Sequence, residues 1–338
     1  MRNLKETIQK FPQAKILVIG DLILDEYIWG EVERISPEAP VPVVWAKRRS
    51  YVPGGAANVA SNISSLGAEV LLLGVVGKDE NAQRLHSELK KRGIPTCGII
   101  VDSGRHTTVK TRILAGHQQI VRLDWEHTES LDKKINQKLI RIVNDNINDT
   151  DAVIIEDYGK GVINADLIAE LISFIRKKKK LVTVDPKEEH FQFYRGVTSI
   201  TPNRKELENA IRVLKMKDTA HRLKLTSDKL STDKDIDKAG LEILRYLKVD
   251  SLLVTLGDRG MRLFQQGGRI DHIPTAALEV FDVSGAGDTV VATFTLAISC
   301  GATNLEAAHL ANYAAGIVVS KLGTAVTTPK ELLERIPK

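Results

Sequence analysis

Short apolar runs alternate with stretches of helical period along most of the chain. Residues 16–19, 70–76, 152–155, 181–184 and 251–255 form mainly apolar runs, the pattern of strands buried on both faces, and a short segment at 199–201 leads to Pro202-Asn203. Between them, residues 58–66, 82–92, 165–178 and 239–246 space apolar positions three and four apart, as one face of a helix requires. A shorter amphipathic segment covers residues 4–11, and an apolar helix begins near residue 289. Strands and helices in alternation predict a parallel sheet covered by helices on both sides. Functional loops in such sheets follow the carboxyl ends of the strands. Asp21, Asp157, Asp185, Asn203 and Gly257 all fall at such ends.

Two regions break the pattern. Residues 27–52 intersperse Tyr27, Trp29, Val32, Ile35, Val41, Val43 and Trp45 with polar residues and with Pro37, Pro40 and Pro42. Residues 107–123 alternate in a similar way, with Gly116 as a turn. Together they predict a small β-sheet lid beside the main sheet. Residues 213–235, rich in Lys, Asp, Ser and Thr, predict a solvated excursion before the next helix.

Composition narrows the function classes. Hydrophobic residues make up 43% of the 338, enough for a real core. The 48 basic residues exceed the 43 acidic ones by five, without the clustered charge and readout motif that nucleic-acid binding needs. Cys97 and Cys300 lie in apolar stretches and predict two reduced core thiols of a cytoplasmic protein. No C-x-x-C or H-E-x-x-H pattern suggests structural zinc. The first 15 residues carry charges throughout, which argues against a signal peptide. No apolar run reaches the ~20 residues of a membrane helix.

The chemistry concentrates in Asp282-Val-Ser-Gly-Ala-Gly-Asp288. Gly285, Ala286 and Gly287 leave backbone amides bare where a helix begins, and such amides attract anions. Asp288 follows directly. A resting phosphate is repelled by that carboxylate, whereas a phosphoryl-transfer site uses it to take a proton from an attacking hydroxyl. The segment therefore predicts a kinase acting on an alcohol.

Other candidates have plainer alternatives. Gly54-Gly-Ala-Ala-Asn58 reads as a tight turn opening a helix, or as amides and an amide side chain facing a polyhydroxyl ligand. Asp21 and Asp25 are turn or cap residues, or hold sugar hydroxyls. Asp157 and Lys160 solvate a loop, or reach a hydroxyl, a hydrated Mg²⁺ or a phosphate. Asn203 and Glu206 form a capping box, or orient Mg²⁺ waters beside ATP. Lys110, Arg112 and Arg122 are solvated, or face inward and grip a substrate phosphate. No Walker A sequence and no complete dinucleotide fingerprint is present.

The glycine-rich segments at residues 54–58 and 282–288 resemble the two signatures of the PfkB, or ribokinase-like, carbohydrate kinases. The resemblance covers essentially the whole chain. It implies one kinase domain over residues 1–338, a three-layer α/β/α fold with a mostly parallel central sheet, and a β lid at 27–52 and 107–123. A narrower resemblance is to the heptose 7-phosphate kinases. Gly20-Asp-Leu-Ile-Leu-Asp25, Arg34-Ile-Ser-Pro-Glu-Ala-Pro-Val-Pro-Val43, Asp157-Tyr-Gly-Lys-Gly161, Val184-Asp-Pro-Lys187 and residues 314–324 carry it. That branch phosphorylates O1 of D-glycero-β-D-manno-heptose 7-phosphate, on the route to ADP-heptose and lipopolysaccharide.

By the resemblance, Asp288 is the general base and Gly285, Ala286 and Gly287 form the anion hole. Asp25, Gly54, Gly55 and Asn58 contact the sugar. Asn203 and Glu206 lie near Mg²⁺, and Thr255, Gly257 and Asn312 line the ATP site, with Asp185 and Lys187 nearby. Asp282 belongs to a monovalent cation site, K⁺ in some relatives. The lid contributes to a homodimer. Bifunctional members continue into a nucleotidyltransferase domain, so a chain ending at Lys338 implies a separate adenylyltransferase. Alternatives are a kinase for fructose, fructose phosphate or a nucleoside, and a sugar-phosphate binding protein without turnover.

Overall fold

A computed structural model describes residues 2–116, 118–225 and 227–337, with the side chains of Arg2 and Asn3 left aside. His117 of the lid segment, Thr226 of the charged excursion, Met1 and Lys338 lie outside the described residues. The chain begins with α1 (Arg2–Lys10), β1 (Lys15–Gly20), β2 (Leu22–Ile35), β3 (Pro42–Gly55), α2 (Ala56–Ser65), β4 (Glu69–Gly77) and α3 (Glu80–Lys91). It continues through β5 (Ile99–Asp102), β6 (Thr108–Ala115), β7 (Gln118–Trp125), α4 (Lys133–Asn146), β8 (Ala152–Glu156), α5 (Ala165–Lys177) and β9 (Leu181–Asp185). Then follow β10 (Ser199–Ile200), α6 (Arg204–Lys217), α7 (Asp233–Leu247), β11 (Ser251–Thr255), β12 (Met261–Gln265) and β13 (Arg269–Ile273). The last helices are α8 (Ala286–Ser299), α9 (Asn304–Val318) and α10 (Pro329–Arg335).

Nine strands form the large sheet in the order β13-β12-β11-β10-β9-β8-β1-β4-β5. The pairs from β11 to β5 are parallel, and only the β11–β12 and β12–β13 pairs are antiparallel. The continuous apolar runs follow from burial on both faces. In β1, Ile16 and Val18 join one core, with α2, α8 and α9, while Leu17 and Ile19 join the other, with α4 to α7. β8 repeats this, with Ala152 and Ile154 on one side and Val153 and Ile155 on the other.

The lid is a second, four-stranded sheet in the order β3-β2-β6-β7. Its strands extend beyond the expected segments and run directly into the main domain at Leu22 and Gly55. Register settles its two faces. Asp25 pairs with Lys110 and Tyr27 with Arg112, while Lys110 faces Asp124 and Arg112 faces Arg122 across β6–β7. These six residues share one face because strand side chains alternate. Val121, Leu123 and Trp125 lie in the opposite phase and are exposed.

Several expectations change. Cys97 is exposed and Cys300 half-buried, so neither is a core thiol; both sit at helix-to-strand connections or helix ends rather than inside elements. The excursion at 213–235 is shorter than its composition suggests. It yields its ends to α6 and α7 and buries Leu225 and Leu230. The pattern also leaves α4, β5 and the β12–β13 hairpin unassigned. Among the described residues no helix is long and apolar enough to cross a membrane.

Candidate active site at the start of helix α8

The turn before α8 is shaped by Asp282. One carboxylate oxygen accepts the Ser284 amide at 2.9 Å and the other the Gly323 amide at 3.0 Å. Both oxygens are therefore engaged in ordering this turn. Gly285 follows with φ +75°, and a Cβ there would meet Asn58 Nδ2 at 2.6 Å. Glycine is required twice over, by the backbone angle and by the approach of Asn58. The Ala286 amide is directed to the Val283 carbonyl at 3.2 Å. Among the described residues the amides of Gly285 and Gly287 have no partner outside the helix.

Asp288, in the first turn of α8, is 2% exposed. Asn58 Nδ2 donates to its Oδ2 at 2.6 Å, and the Tyr158 hydroxyl donates to its Oδ1 at 2.8 Å. Burial raises its pKa to about 6 against these two stabilising donors. Its partners are neutral, so no ion pair locks it.

This helix start lines two cavities. One, of about 190 Å³, is lined by Asp25, Lys110, Arg112, Arg122, Tyr158 and Asp288, with Gly55, Ser284 and Gly285. The lid cations thus do face inward. Arg112 Nη1 donates to Asp25 Oδ1 at 2.5 Å. Arg122 grips Asp124 through two hydrogen bonds of 2.9 and 3.0 Å, and Lys110 Nζ stands 3.6 Å from the same carboxylate. Gly54 makes room for this arrangement, since a Cβ there would lie 2.3 Å from Asp25 Oδ2.

The other cavity, of about 500 Å³, is lined by Thr255, Gly257, Asn312, Ala286 and Gly287 together with apolar side chains such as Val280 and Val319. Asn312 Nδ2 donates to the Pro274 carbonyl at 2.7 Å, which leaves its side-chain oxygen as an acceptor.

Other sequence candidates take supporting positions. Asp21 is buried, and its carboxylate accepts the amides of Tyr158, Lys160 and Val162 at 2.9, 3.0 and 3.1 Å. Burial, with Asp157 nearby, raises its pKa to about 6. It clamps the 158–162 loop and does not line the cation-rich cavity. Asp157 is likewise engaged, by His190 Nδ1 at 2.7 Å and the Tyr194 hydroxyl at 2.6 Å. Lys160 pairs with Glu126 at 2.6 Å, also outside that cavity. Lys187 pairs with Glu188 at 3.1 Å. Asn203 and Glu206 form the capping box of α6, with bonds of 2.7 and 2.9 Å; burial raises Glu206 to about 7.

Two contributors were not singled out from the sequence. Glu156 ends β8 fully buried, and neither of its carboxyl oxygens has a hydrogen-bond donor among the described residues. It gathers with Asp185 and Asp288, with oxygens within 4.8 Å of one another. Burial first, then the neighbouring carboxylates, push Glu156 and Asp185 well above the usual carboxylate range. Such a group is satisfied by a proton held between acids or by a cation. Tyr158 is the second; only its place between the acid pair and two glycines marked it in the sequence.

A family model described as pfkB family carbohydrate kinase matches residues 13–331. The bifunctional protein HldE of Trichlorobacter lovleyi is 42% identical over 336 residues, 99% of this chain and 65% of that relative. The bifunctional protein HldE of Helicobacter pylori is 43% identical over 319 residues, 94% of this chain and 65% of that relative. The chain thus spans just under two thirds of the length of these relatives. Among solved structures, Arabidopsis thaliana ribokinase complexed with ribose and ATP aligns with a TM-score of 0.72 at 19% identity, covering 95% of this chain and 98% of that one. Phosphofructokinase-2 from Escherichia coli, in complex with substrates and products, gives 0.74 at 19% identity, covering 95% and 97%. At such identity these structures speak for the ribokinase-like fold alone.

Proposed function

The chain belongs to the pfkB family of carbohydrate kinases, phosphotransferases with an alcohol acceptor, and from that premise we propose that it phosphorylates O1 of a heptose 7-phosphate with ATP. The observation that carries this reading is Asp288, buried beside a small cavity lined by Lys110, Arg112 and Arg122, while Ala286 and Gly287 of the same helix turn line a large, mainly apolar cavity. The large cavity suits adenosine, and the small one suits a sugar that already bears a phosphate.

Asp288 takes the proton of the anomeric hydroxyl. That oxygen forms a bond to the γ-phosphorus as the bond from phosphorus to the β-bridging oxygen breaks, and ADP leaves. The Gly285 and Gly287 amides at the helix start receive the charge on the transferred group. Asn58 and Asp25 orient the sugar. The orphaned oxygens of Glu156, gathered with Asp185, fit a divalent cation, and Glu206 stands close enough to Asp185 to raise its pKa. These acids and Asn203 would hold Mg²⁺ and its waters, and bound Mg²⁺ supplies neutralisation of the nucleotide phosphates. K⁺ near the Asp282 turn belongs to the same reading. So does a homodimer through the lid, supported by exposed Val121, Leu123 and Trp125 on its outer face, and an adenylyltransferase acting on the product towards ADP-heptose and lipopolysaccharide.

The test is turnover of synthetic heptose 7-phosphate, with the new phosphate located by ³¹P NMR, beside fructose, fructose 6-phosphate and nucleosides. Transfer to O1 of the heptose at the highest kcat/KM is expected. A clear preference for another acceptor refutes the heptose assignment, and tight sugar-phosphate binding without ADP release refutes the kinase.

A further inference from the structure

Phosphoryl transfer asks two things of Asp288: an ionised carboxylate, and a fixed direction for the lone pair that receives the proton. An ionised carboxylate offers about four acceptor positions on its two oxygens. Asn58 occupies one on Oδ2 and Tyr158 one on Oδ1. The two donors hold opposite oxygens, so together they stop rotation of the carboxylate plane. Either alone leaves it free to turn about the Cβ–Cγ bond.

The two come from different parts of the fold. Asn58 is 230 residues from Asp288 and rides on α2, whose first turns are fully packed. Tyr158 is 130 residues away, on a loop. A loop side chain needs its own support, and Asp21 supplies it by accepting the amides of Tyr158, Lys160 and Val162. The phenol is the donor in its 2.8 Å hydrogen bond to Asp288 Oδ1. Tyr158 also lines the cation-rich cavity beside Asp288.

We propose that Tyr158, held by the Asp21 clamp, is a positioning residue that fixes Asp288 for attack by the sugar hydroxyl. This rests on the kinase reading above and assigns Tyr158 no proton transfer of its own.

The test is a double-mutant cycle of Tyr158→Phe and Asp288→Asn, followed by single-turnover transfer from labelled ATP. Y158F is expected to lower kcat by about 10- to 100-fold, with both KM values within about 2-fold and an unchanged thermal midpoint. In the D288N background the same change is expected to cost less than about 2-fold, since a residue acting through Asp288 has nothing left to position. An equal loss in both backgrounds overturns the proposal, as does an effect confined to KM or an unaltered kcat. Should Y158F fail to fold, 3-fluorotyrosine at position 158 keeps ring and hydroxyl and strengthens the donor; a kcat identical to wild type then overturns it. Near-wild-type turnover by D288N is a separate result that removes Asp288 as the base.

Discussion

The two cavities lined by the start of α8 are built on opposite principles. The larger is walled by Met261, Val280, Val283, Val290, Ala315 and Val319, with few polar groups. The smaller, less than half its volume, is walled by cations, carboxylates and a phenol. Apolar walls select by shape and area, tolerate repacking and are indifferent to salt. Charged walls select by ionic complementarity, and each of their groups needs a partner when no ligand is bound. That need explains the ion pairs seen there. Asp124 engages Arg122 and Lys110, and Asp25 engages Arg112. An incoming phosphate must therefore compete with Asp124, whereas an adenosine entering the other cavity competes only with water.

The largest expected effect lies at the helix start that lines both cavities. Asp288→Asn should lower kcat by about 10³-fold while both substrates still bind. Near-normal turnover at saturating substrate would show that the acid beside the charged cavity is not the base. For the native enzyme, kcat/KM should fall as pH drops through about 6, where Asp288 takes up a proton.

The charged cavity is tested next. Lys110→Ala with Arg122→Ala should raise KM for a phosphorylated sugar by about 100-fold, with little effect on its dephosphorylated form or on ATP. Equal effects on both sugars would mean that the lid cations do not read phosphate. Arg112 is deliberately spared: it pairs with Asp25, whose side chain is 8% exposed, and removing it should cost about 3 kcal/mol of stability through an unpaired buried charge.

A stability measurement distinguishes the buried acid from its surroundings. Asp288 has a folded-state pKa near 6, above the ordinary aspartate value of 3.8. Its contribution to stability is full below the unfolded-state value and is lost as pH rises through about 6. Asp288→Asn removes that loss. The variant's stability relative to the native chain should therefore rise by up to about 2 kcal/mol between pH 5 and pH 8 in the absence of ligand. A flat difference across that interval would contradict the raised pKa.

The smallest effect belongs to the apolar cavity. Asn312→Ala removes one acceptor from a site held mostly by shape, so KM for ATP should rise only about 10-fold with the sugar KM unchanged. A loss as large as that of the lid cations would erase the contrast between the two cavities.

Much of this was legible in the chain, unevenly. β1 and β8 announced themselves because a strand buried on both sides has no room for alternation, and the apolar runs at 16–19 and 152–155 fall within them. The 282–288 turn was legible because positive φ at Gly285 and the close approach of Asn58 permit little but glycine. The phase of the lid strands was not. Whether Lys110 and Arg112 face inward depends on β2–β6 register, which pairing across some 85 residues fixes.

By itself, then, the sequence determined the two-faced sheet, the glycine turn and the acid that follows it. These are local consequences of side-chain size, polarity and backbone freedom. The tertiary structure alone decided which carboxylates remain free for chemistry. Asp21 and Asp157 follow strand ends, where functional groups are expected, yet loop amides consume one and His190 and Tyr194 the other. Glu156 and Tyr158 gained their places from partners brought in by folding. A polar group's role follows from who satisfies it, and those partners lie far away along the chain.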